Sequence, residues 1–179
     1  MTRLYTRSGD QGRTGLADGT RIAKTSARIA ALGAVDECNA QLGVLVAQLA
    51  ASHPLRPLVQ LVQHQLFDLG ALLAGADGQW LADADIAGLE AHIDRLDGAL
   101  PPLKQFILPG GGLAAAQAQV ARSLCRRAER QVFALAAQEQ LSAVAPKYLN
   151  RLSDLLFVVA RTLAQEAGGD QVWLPRSAR

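Results

Sequence analysis

From Leu113 to Ala145 the chain contains neither Gly nor Pro. Ala, Gln and Leu dominate this run, a composition that predicts a long helix. On a helix Arg122, Arg126 and Arg130 recur at i, i+4 and i+8, so they stack on one face with Glu129 beside them. Ala121, Leu124, Cys125, Ala128, Val132 and Leu135 form a separate apolar stripe. One stripe builds a core, and the other gathers positive charge around a single carboxylate. Like charges at this spacing repel. Either the face is simply solvated, or an anion compensates it.

The rest of the chain extends the same pattern. Half of the 179 residues are hydrophobic but only 4% are aromatic, which favours an all-α up-and-down bundle over a sandwich. The length suits one domain spanning 1–179. Within it, residues 1–26 read as an irregular segment rich in Gly, Thr and Arg, 27–167 as the bundle and 168–179 as a tail. Helices are expected from about Arg28 to Ala51, Leu55 to Ala74 and Asp83 to Leu96, with Asp83 as an N-cap. The arginine helix comes fourth. The fifth begins near Pro146 and ends at Gly168-Gly169. Pro101-Pro102 and Pro109-Gly110-Gly111 bracket a short non-helical segment that carries Phe106.

Charge is unevenly spread. Residues 1–28 carry Arg3, Arg7, Arg13, Arg21, Lys24 and Arg28 against Asp10 and Asp18, a net +4 in a chain whose total is +2. That total is too small for a dedicated nucleic-acid binder, and a local basic arm suits a small anion. Cys38 and Cys125 lack CxxC spacing and read as buried free thiols in a reducing compartment. The N-terminus has no apolar signal region and no long apolar span is evident, so a cytoplasmic location without membrane insertion is expected. His53, His64 and His92 have no metal-ligand spacing.

Three constellations carry potential chemistry. In Tyr5-Thr6-Arg7-Ser8-Gly9-Asp10-Gln11-Gly12-Arg13-Thr14-Gly15, glycines at every third position permit close backbone approach. Backbone amides, hydroxyls and arginines are what a polyphosphate requires. A flexible tail is the alternative, and Asp10 either caps a turn or helps place Mg²⁺ through water. The segment is neither a Walker A loop nor a dinucleotide fingerprint. In Gly33-Ala34-Val35-Asp36-Glu37-Cys38-Asn39, adjacent carboxylates diverge by about 100° on a helix and cannot serve one site together. Asp36 is the expected partner for the arginine stripe. On the fifth helix, Leu149, Leu152, Leu156 and Val159 form a core stripe. Asn150, Asp154, Phe157 and Arg161 fall on roughly the opposite side, facing solvent or a subunit interface.

Taken in order, these motifs resemble the propanediol-utilisation type of ATP:corrinoid adenosyltransferase. The likeness is carried by Thr6 to Gly15, by Gly33 to Asn39, and by Phe106-Ile107-Leu108-Pro109-Gly110-Gly111. It continues through Cys125-Arg126-Arg127-Ala128-Glu129-Arg130 and Tyr148-Leu149-Asn150-Arg151-Leu152-Ser153-Asp154, and so covers nearly the whole chain. The resemblance implies a homotrimer of five-helix bundles with active sites between subunits. It implies transfer of the 5′-deoxyadenosyl group of ATP to the cobalt of cob(I)alamin, with Mg²⁺ present and tripolyphosphate released. By that likeness Thr6, Arg7, Ser8, Gly9, Asp10, Gly12, Arg13, Thr14 and Gly15, with Arg21 and Lys24, wrap the triphosphate. Arg126 and Glu129 complete the nucleotide site, with Arg127 and Arg130 close by, and Asn150 also contacts the nucleotide. Asp36 and Arg122 pair across the interface, and Phe106 lies under the corrin. A reductase or an adenosylcobalamin-dependent acceptor enzyme is the implied protein partner. Gln119, where His is common, and Cys38, where Leu is usual, depart from the pattern. So does Thr25-Ser26-Ala27, which replaces a more acidic stretch. The rival readings are a non-enzymatic helical interaction module and another ATP-dependent phosphoryl-transfer bundle.

Overall fold

The computed structural model describes residues 5–179; Arg3 and the rest of residues 1–4 lie outside that range. The Gly- and Pro-free run folds as a helix but stops at Ala136, short of Ala145. Beyond Leu135, its last buried side chain, the sequence Gln138-Glu139-Gln140 offers nothing for the core. Tertiary burial, more than local breakers, sets this end. The next helix starts at Val144, which puts Pro146 in the first turn, where a missing N–H costs no intrahelical bond.

The five helices are α1 (Ala27–Gln48), α2 (Arg56–Leu73), α3 (Asp83–Asp97), α4 (Leu113–Ala136) and α5 (Val144–Glu166). α1 packs on both α2 and α4, α4 packs on α5, and α3 lies against α5. The seam between α1 and α4 is lined by small side chains. Ala31, Ala34, Ala118, Ala121 and Ala128 are all buried, as are Cys38 and Cys125, so the two backbones can approach closely. Leucines fill the wider spaces: Leu42, Leu45, Leu66, Leu69, Leu149 and Leu152 are fully enclosed. By length and composition α1 could cross a membrane, yet Val35, Leu42, Leu45 and Val46, which make it so apolar, belong to the bundle core.

Tyr148 is the largest buried side chain. Its hydroxyl donates to Gln65 Oε1 at 2.9 Å, and Gln65 Nε2 donates to Asp85 Oδ1 at 3.1 Å. Asp85 Oδ2 in turn accepts the N–H of Ala82 at 2.8 Å. The N-cap of α3 is therefore Ala82, not the expected Asp83, and the capping carboxylate comes from within the first turn. One polar chain thus ties α5, α2 and the start of α3 together.

The N-terminal segment is more ordered than its composition suggests. Residues Arg13–Gly15 (β1) pair antiparallel with Arg21–Ala23 (β2), with Thr14 opposite Ile22. The N–H of Ala17 donates to the carbonyl of Ala74 at 3.1 Å, which fastens the hairpin to the end of α2. Arg28 at the start of α1 donates to the carbonyl of Leu73 at 2.5 Å and pairs with Glu139, beyond the end of α4. At the opposite end of the bundle, the segment leading into α4 runs beside the chain that leaves α5. Ile107 bridges Val172, Leu108 N–H donates to Gln171 O at 2.7 Å, and Trp173 N–H donates to Phe106 O at 2.8 Å.

Candidate functional site

The α4 face assembles as the heptad-like arginine spacing predicts, with one redistribution of partners. Glu129 Oε1 accepts from Asn150 Nδ2 at 3.0 Å, so α4 and α5 present these two side chains together. Arg126 and Arg130 stay exposed beside them, and Arg130 Nη1 donates back to the Arg126 carbonyl at 2.9 Å. Arg127 turns away and forms an ion pair with Glu37 of α1. Of the adjacent carboxylates on α1, the one that meets the arginine helix within the chain is therefore Glu37. Asp36 points elsewhere, as the rotation between neighbouring helical residues requires.

Arg122 is half-buried. Its Nε donates to Gln119 Oε1 at 2.8 Å, and its guanidinium lies 6.0 Å from the centre of the Phe157 ring. Burial, with the charge of Arg126 adding to it, pushes the Arg122 pKa below its ordinary value. A cation held under those conditions calls for a carboxylate. Among the described residues none pairs with Arg122 inside the chain. Asp36 lines a large apolar groove between α1 and α2, with Ile29, Leu32, Gly33, Phe67 and Gly70. This groove is the largest concavity described, yet it is not lined by Arg126, Glu129 or Asn150. Phe67 at its rim is 70% exposed. Inside it, Asn39 is buried and its Oδ1 has no partner.

The glycine-rich segment forms a loop folded onto the hairpin. Thr6 Oγ1 and Ser8 Oγ lie 2.8 Å apart. Arg21 donates to the carbonyls of Ser8 at 2.6 Å and Arg13 at 3.1 Å, while Arg13 donates to the carbonyl of Arg21. These two arginines brace the loop. Lys24 Nζ lies so close to Gly9 that an added Cβ would come within 3.1 Å of it. Arg7 adopts φ 60° and stacks 5.5 Å from the Tyr5 ring. Asp10, Gly12, Thr14 and Gly15 complete the loop and the first strand. In the hairpin turn, hydrogen bonds from Thr20 hold the Asp18 carboxyl below the usual carboxylate range. Among the described residues, no hydrogen bond or ion pair joins the 5–24 segment to Arg126, Glu129, Arg130 or Asn150. The phosphate-type loop and the arginine face are thus not bonded to each other within the chain.

Phe106 is 79% exposed. A ring that open does not plug its own core. Its one aromatic neighbour is Trp173, edge-to-face at 6.4 Å and 82°, and together with Ile107 and Leu108 they line a shallow apolar depression. Trp173 belongs to the 168–179 tail. No local signal pairs it with a residue so far away in the chain.

Arg161 departs from its expected exposed placement. It does share a helix face with Asn150, Asp154 and Phe157, but its side chain is only 3% exposed. The face is open near the start of α5 and covered near its end by the segments around Pro101 and Asp170. Both thiols are free and buried, as expected. Cys125 donates to the Leu149 carbonyl at 3.2 Å, and the neighbouring Cys38 thiol, then burial, pushes its pKa well up. Such a thiol stays protonated and is no nucleophile.

A family profile described as cobalamin adenosyltransferase matches residues 4–163. A cobalamin adenosyltransferase of Cupriavidus metallidurans is 45% identical over 172 residues, covering 96% of this chain and 94% of the relative. A corrinoid adenosyltransferase of Mycobacterium tuberculosis is 42% identical over 191 residues, covering 100% and 96%. Among solved structures, a variant of a PduO-type ATP:corrinoid adenosyltransferase from Lactobacillus reuteri, complexed with cobalamin and ATP, matches with a TM-score of 0.92. It is 32% identical and covers 97% of this chain and 100% of that one. With bundle, collinear motifs and near-complete coverage in agreement, the chain belongs to the cobalamin adenosyltransferase family.

Proposed function

We propose that this chain transfers the 5′-deoxyadenosyl group of ATP to the cobalt of cob(I)alamin or a related corrinoid, as a homotrimer whose sites lie between subunits. The observation that carries this reading is the joining of α4 and α5 by Glu129 and Asn150. Arg126, Glu129 and Asn150 stand near the start of α5, and the exposed Phe106 belongs to the loop near its far end. Asn150 and Arg161, which lies under the Phe106 loop, are eleven positions apart on α5, or roughly 16 Å.

In the reaction the cobalt(I) electron pair attacks C5′, the C5′–O bond breaks, and tripolyphosphate leaves with the bonding electrons. Cobalt(I) is itself a strong nucleophile, so no general base is required. The protein's work is alignment and stabilisation of the leaving charge. Arg126 and Arg130 supply guanidinium forks for phosphate oxygens. Glu129 fixes Asn150 and gives the nucleotide a polar edge. The loop from Thr6 to Gly15, with Arg21 and Lys24, wraps the triphosphate of a site completed by a neighbouring copy. The absence of any hydrogen bond or ion pair between it and the arginine face among the described residues supports that division of labour. Phe106 offers cobalt an apolar face in place of a lower axial ligand.

Magnesium fits as the counter-ion of ATP. No cluster of three metal-binding side chains exists among the described residues, and Mg²⁺ commonly rests on phosphate oxygens, waters and one or two carboxylates. Asp10 in the loop is the carboxylate to hold it, through water. Two free thiols suit a reducing compartment, which supports the cytoplasm, and a reductase or an adenosylcobalamin-dependent enzyme is the corresponding protein partner. The test is anaerobic incubation with ATP, Mg²⁺ and chemically reduced cobalamin. Loss of the cob(I)alamin spectrum with stoichiometric tripolyphosphate is expected. ATP consumption independent of corrinoid would instead favour phosphoryl transfer.

A further inference from the structure

We propose that Arg161 is a positioning residue for corrinoid binding, one that locks the Phe106 loop and the C-terminal tail into a single lid; this rests on the adenosyltransferase reading above. Its guanidinium holds three separate stretches of chain. Nε donates to Asp170 Oδ2 at 3.0 Å, Nη2 donates to the carbonyl of Pro101 at 2.7 Å, and Nη1 faces Asp97 Oδ1 at 3.6 Å. Asp170 Oδ2 also accepts from Gln165 Nε2 at 3.3 Å. Pro101 is where the Phe106 loop starts, and Asp170 is where the tail leaves α5. From these two anchors the segments converge on the bridge of Ile107 with Val172 and on the ring pair of Phe106 with Trp173.

The far side of the lid is fixed by glycines. A Cβ on Gly110 would meet Gln171 Oε1 at 2.6 Å, and one on Gly111 would meet Ala164 Cβ at 2.5 Å. Loop and tail are therefore seated on each other and on α5 with no room to spare. Neither ring is packed into the bundle, so their orientation depends on how their two backbone segments are held.

A buried ion pair is weak support for stability, because desolvation offsets its attraction and an apolar filling does as well. This one is not even complete. Asp170 Oδ1 is buried without a partner. What the arginine provides that an apolar residue cannot is direction. A planar fork with several donors fixes a carboxylate, a carbonyl and a second carboxylate relative to one another. Lysine keeps the charge but serves fewer partners at once. Among the described residues no hydrogen bond or ion pair joins Arg161 to Arg126, Glu129, Arg130 or Asn150, so its loss should be felt on the corrinoid side.

The experiment compares Arg161→Lys and the milder Asp170→Asn with the unaltered protein. Amide hydrogen exchange is read first, without substrates. Exchange in 103–108 and 171–174 is expected to rise roughly tenfold, as when one charge-assisted hydrogen bond is lost, while α1, α2 and α4 are unchanged. In steady-state assays the apparent KM for cobalamin is expected to rise roughly tenfold and that for ATP to stay within about twofold. Unchanged lid exchange in both variants overturns the proposal. Equal loosening of lid and helices, with both KM values moving together, reduces Arg161 to a structural role and also overturns it. A looser lid with an unaltered KM for cobalamin refutes the link to corrinoid binding. If the unaltered protein does not turn over cobalamin at all, the adenosyltransferase reading fails and the link fails with it, whereas the exchange data still decide whether the lid is locked by Arg161.

Discussion

At the scale of single residues, charge alone does not define the site; the shape of the charge does. Arg126 is exposed, carries no carboxylate partner among the described residues, and sits beside the Glu129–Asn150 pair. Arg126→Lys is expected to keep the fold and melting temperature but to lose at least about tenfold in kcat/KM for ATP, because an ammonium cannot hold two phosphate oxygens in one plane. Wild-type ATP kinetics would remove Arg126 from the site. Phe106 gives a second contrast. A Phe in such a bracketed loop has two ordinary uses, a plug over the bundle or the wall of a ligand pocket. At 79% exposure it buries too little to be a plug. Phe106→Ala is therefore expected to change stability by no more than about 0.5 kcal/mol. The activity that starts from cob(II)alamin should fall far more than that from pre-reduced cob(I)alamin, since water or the base then remains on cobalt and hinders reduction. Equal losses in both assays with a lowered Tm would restore the plug.

At the scale of elements, the helices were legible because long runs rich in Ala and Leu are bounded by Gly and Pro, and Arg126 and Glu129 fall together by local phase, whereas the nucleotide roles proposed for them and for Asn150 rest on the family resemblance. What escaped was non-local. Strands of three residues are too short to show alternation, so the β1–β2 hairpin was hidden in a segment rich in Gly and Thr. Arg161 lies on the helix face expected for it, and only the distant Pro101 and Asp170 segments make that face an interior. The choice of Glu37 over Asp36 as the partner of Arg127 depends on the relative rotation of α1 and α4, which no single helix encodes. The polar chain from Tyr148 through Gln65 and Asp85 to the Ala82 amide is another such case. Tyr148→Phe leaves Gln65 Oε1 buried with no donor, so a loss of about 1–3 kcal/mol in unfolding free energy is expected. The loss should vanish largely in Tyr148→Phe combined with Gln65→Leu, which removes both ends of the bond. Denaturant midpoints at constant m-value measure this, and a neutral single variant would show that water already serves the site.

At the scale of the whole molecule, the proposed phosphate loop and the proposed corrinoid lid lie toward opposite ends of one bundle. The hairpin is tied to the end of α2, and the Phe106 lid lies at the other end of a bundle whose α4 alone spans about 36 Å. The groove holding Asp36 and the buried, unpartnered Asn39 Oδ1 lies between α1 and α2, whereas Arg122 rests against Phe157 on the α4–α5 side. Under the proposed trimer, the surface that lacks a cation and the one that lacks an anion among the described residues, on different faces of the same chain, meet in a heterologous contact. Such a contact either closes into a ring or runs on as a filament. Closure as a trimer predicts a single species at three times the monomer mass in sedimentation equilibrium, and a concentration-independent monomer would refute it. The ion pair itself is separable from mass. Removing one partner of a buried pair costs roughly 3–5 kcal/mol, chiefly through the charge left behind. Asp36→Asn and Arg122→Ala should therefore each weaken trimer association and corrinoid turnover, with ATP binding less affected. The double variant should be little worse than either alone, because the second substitution removes a charge already stranded. Strict additivity in that cycle would mean that Asp36 and Arg122 do not touch, since independent sites add and contacting ones do not.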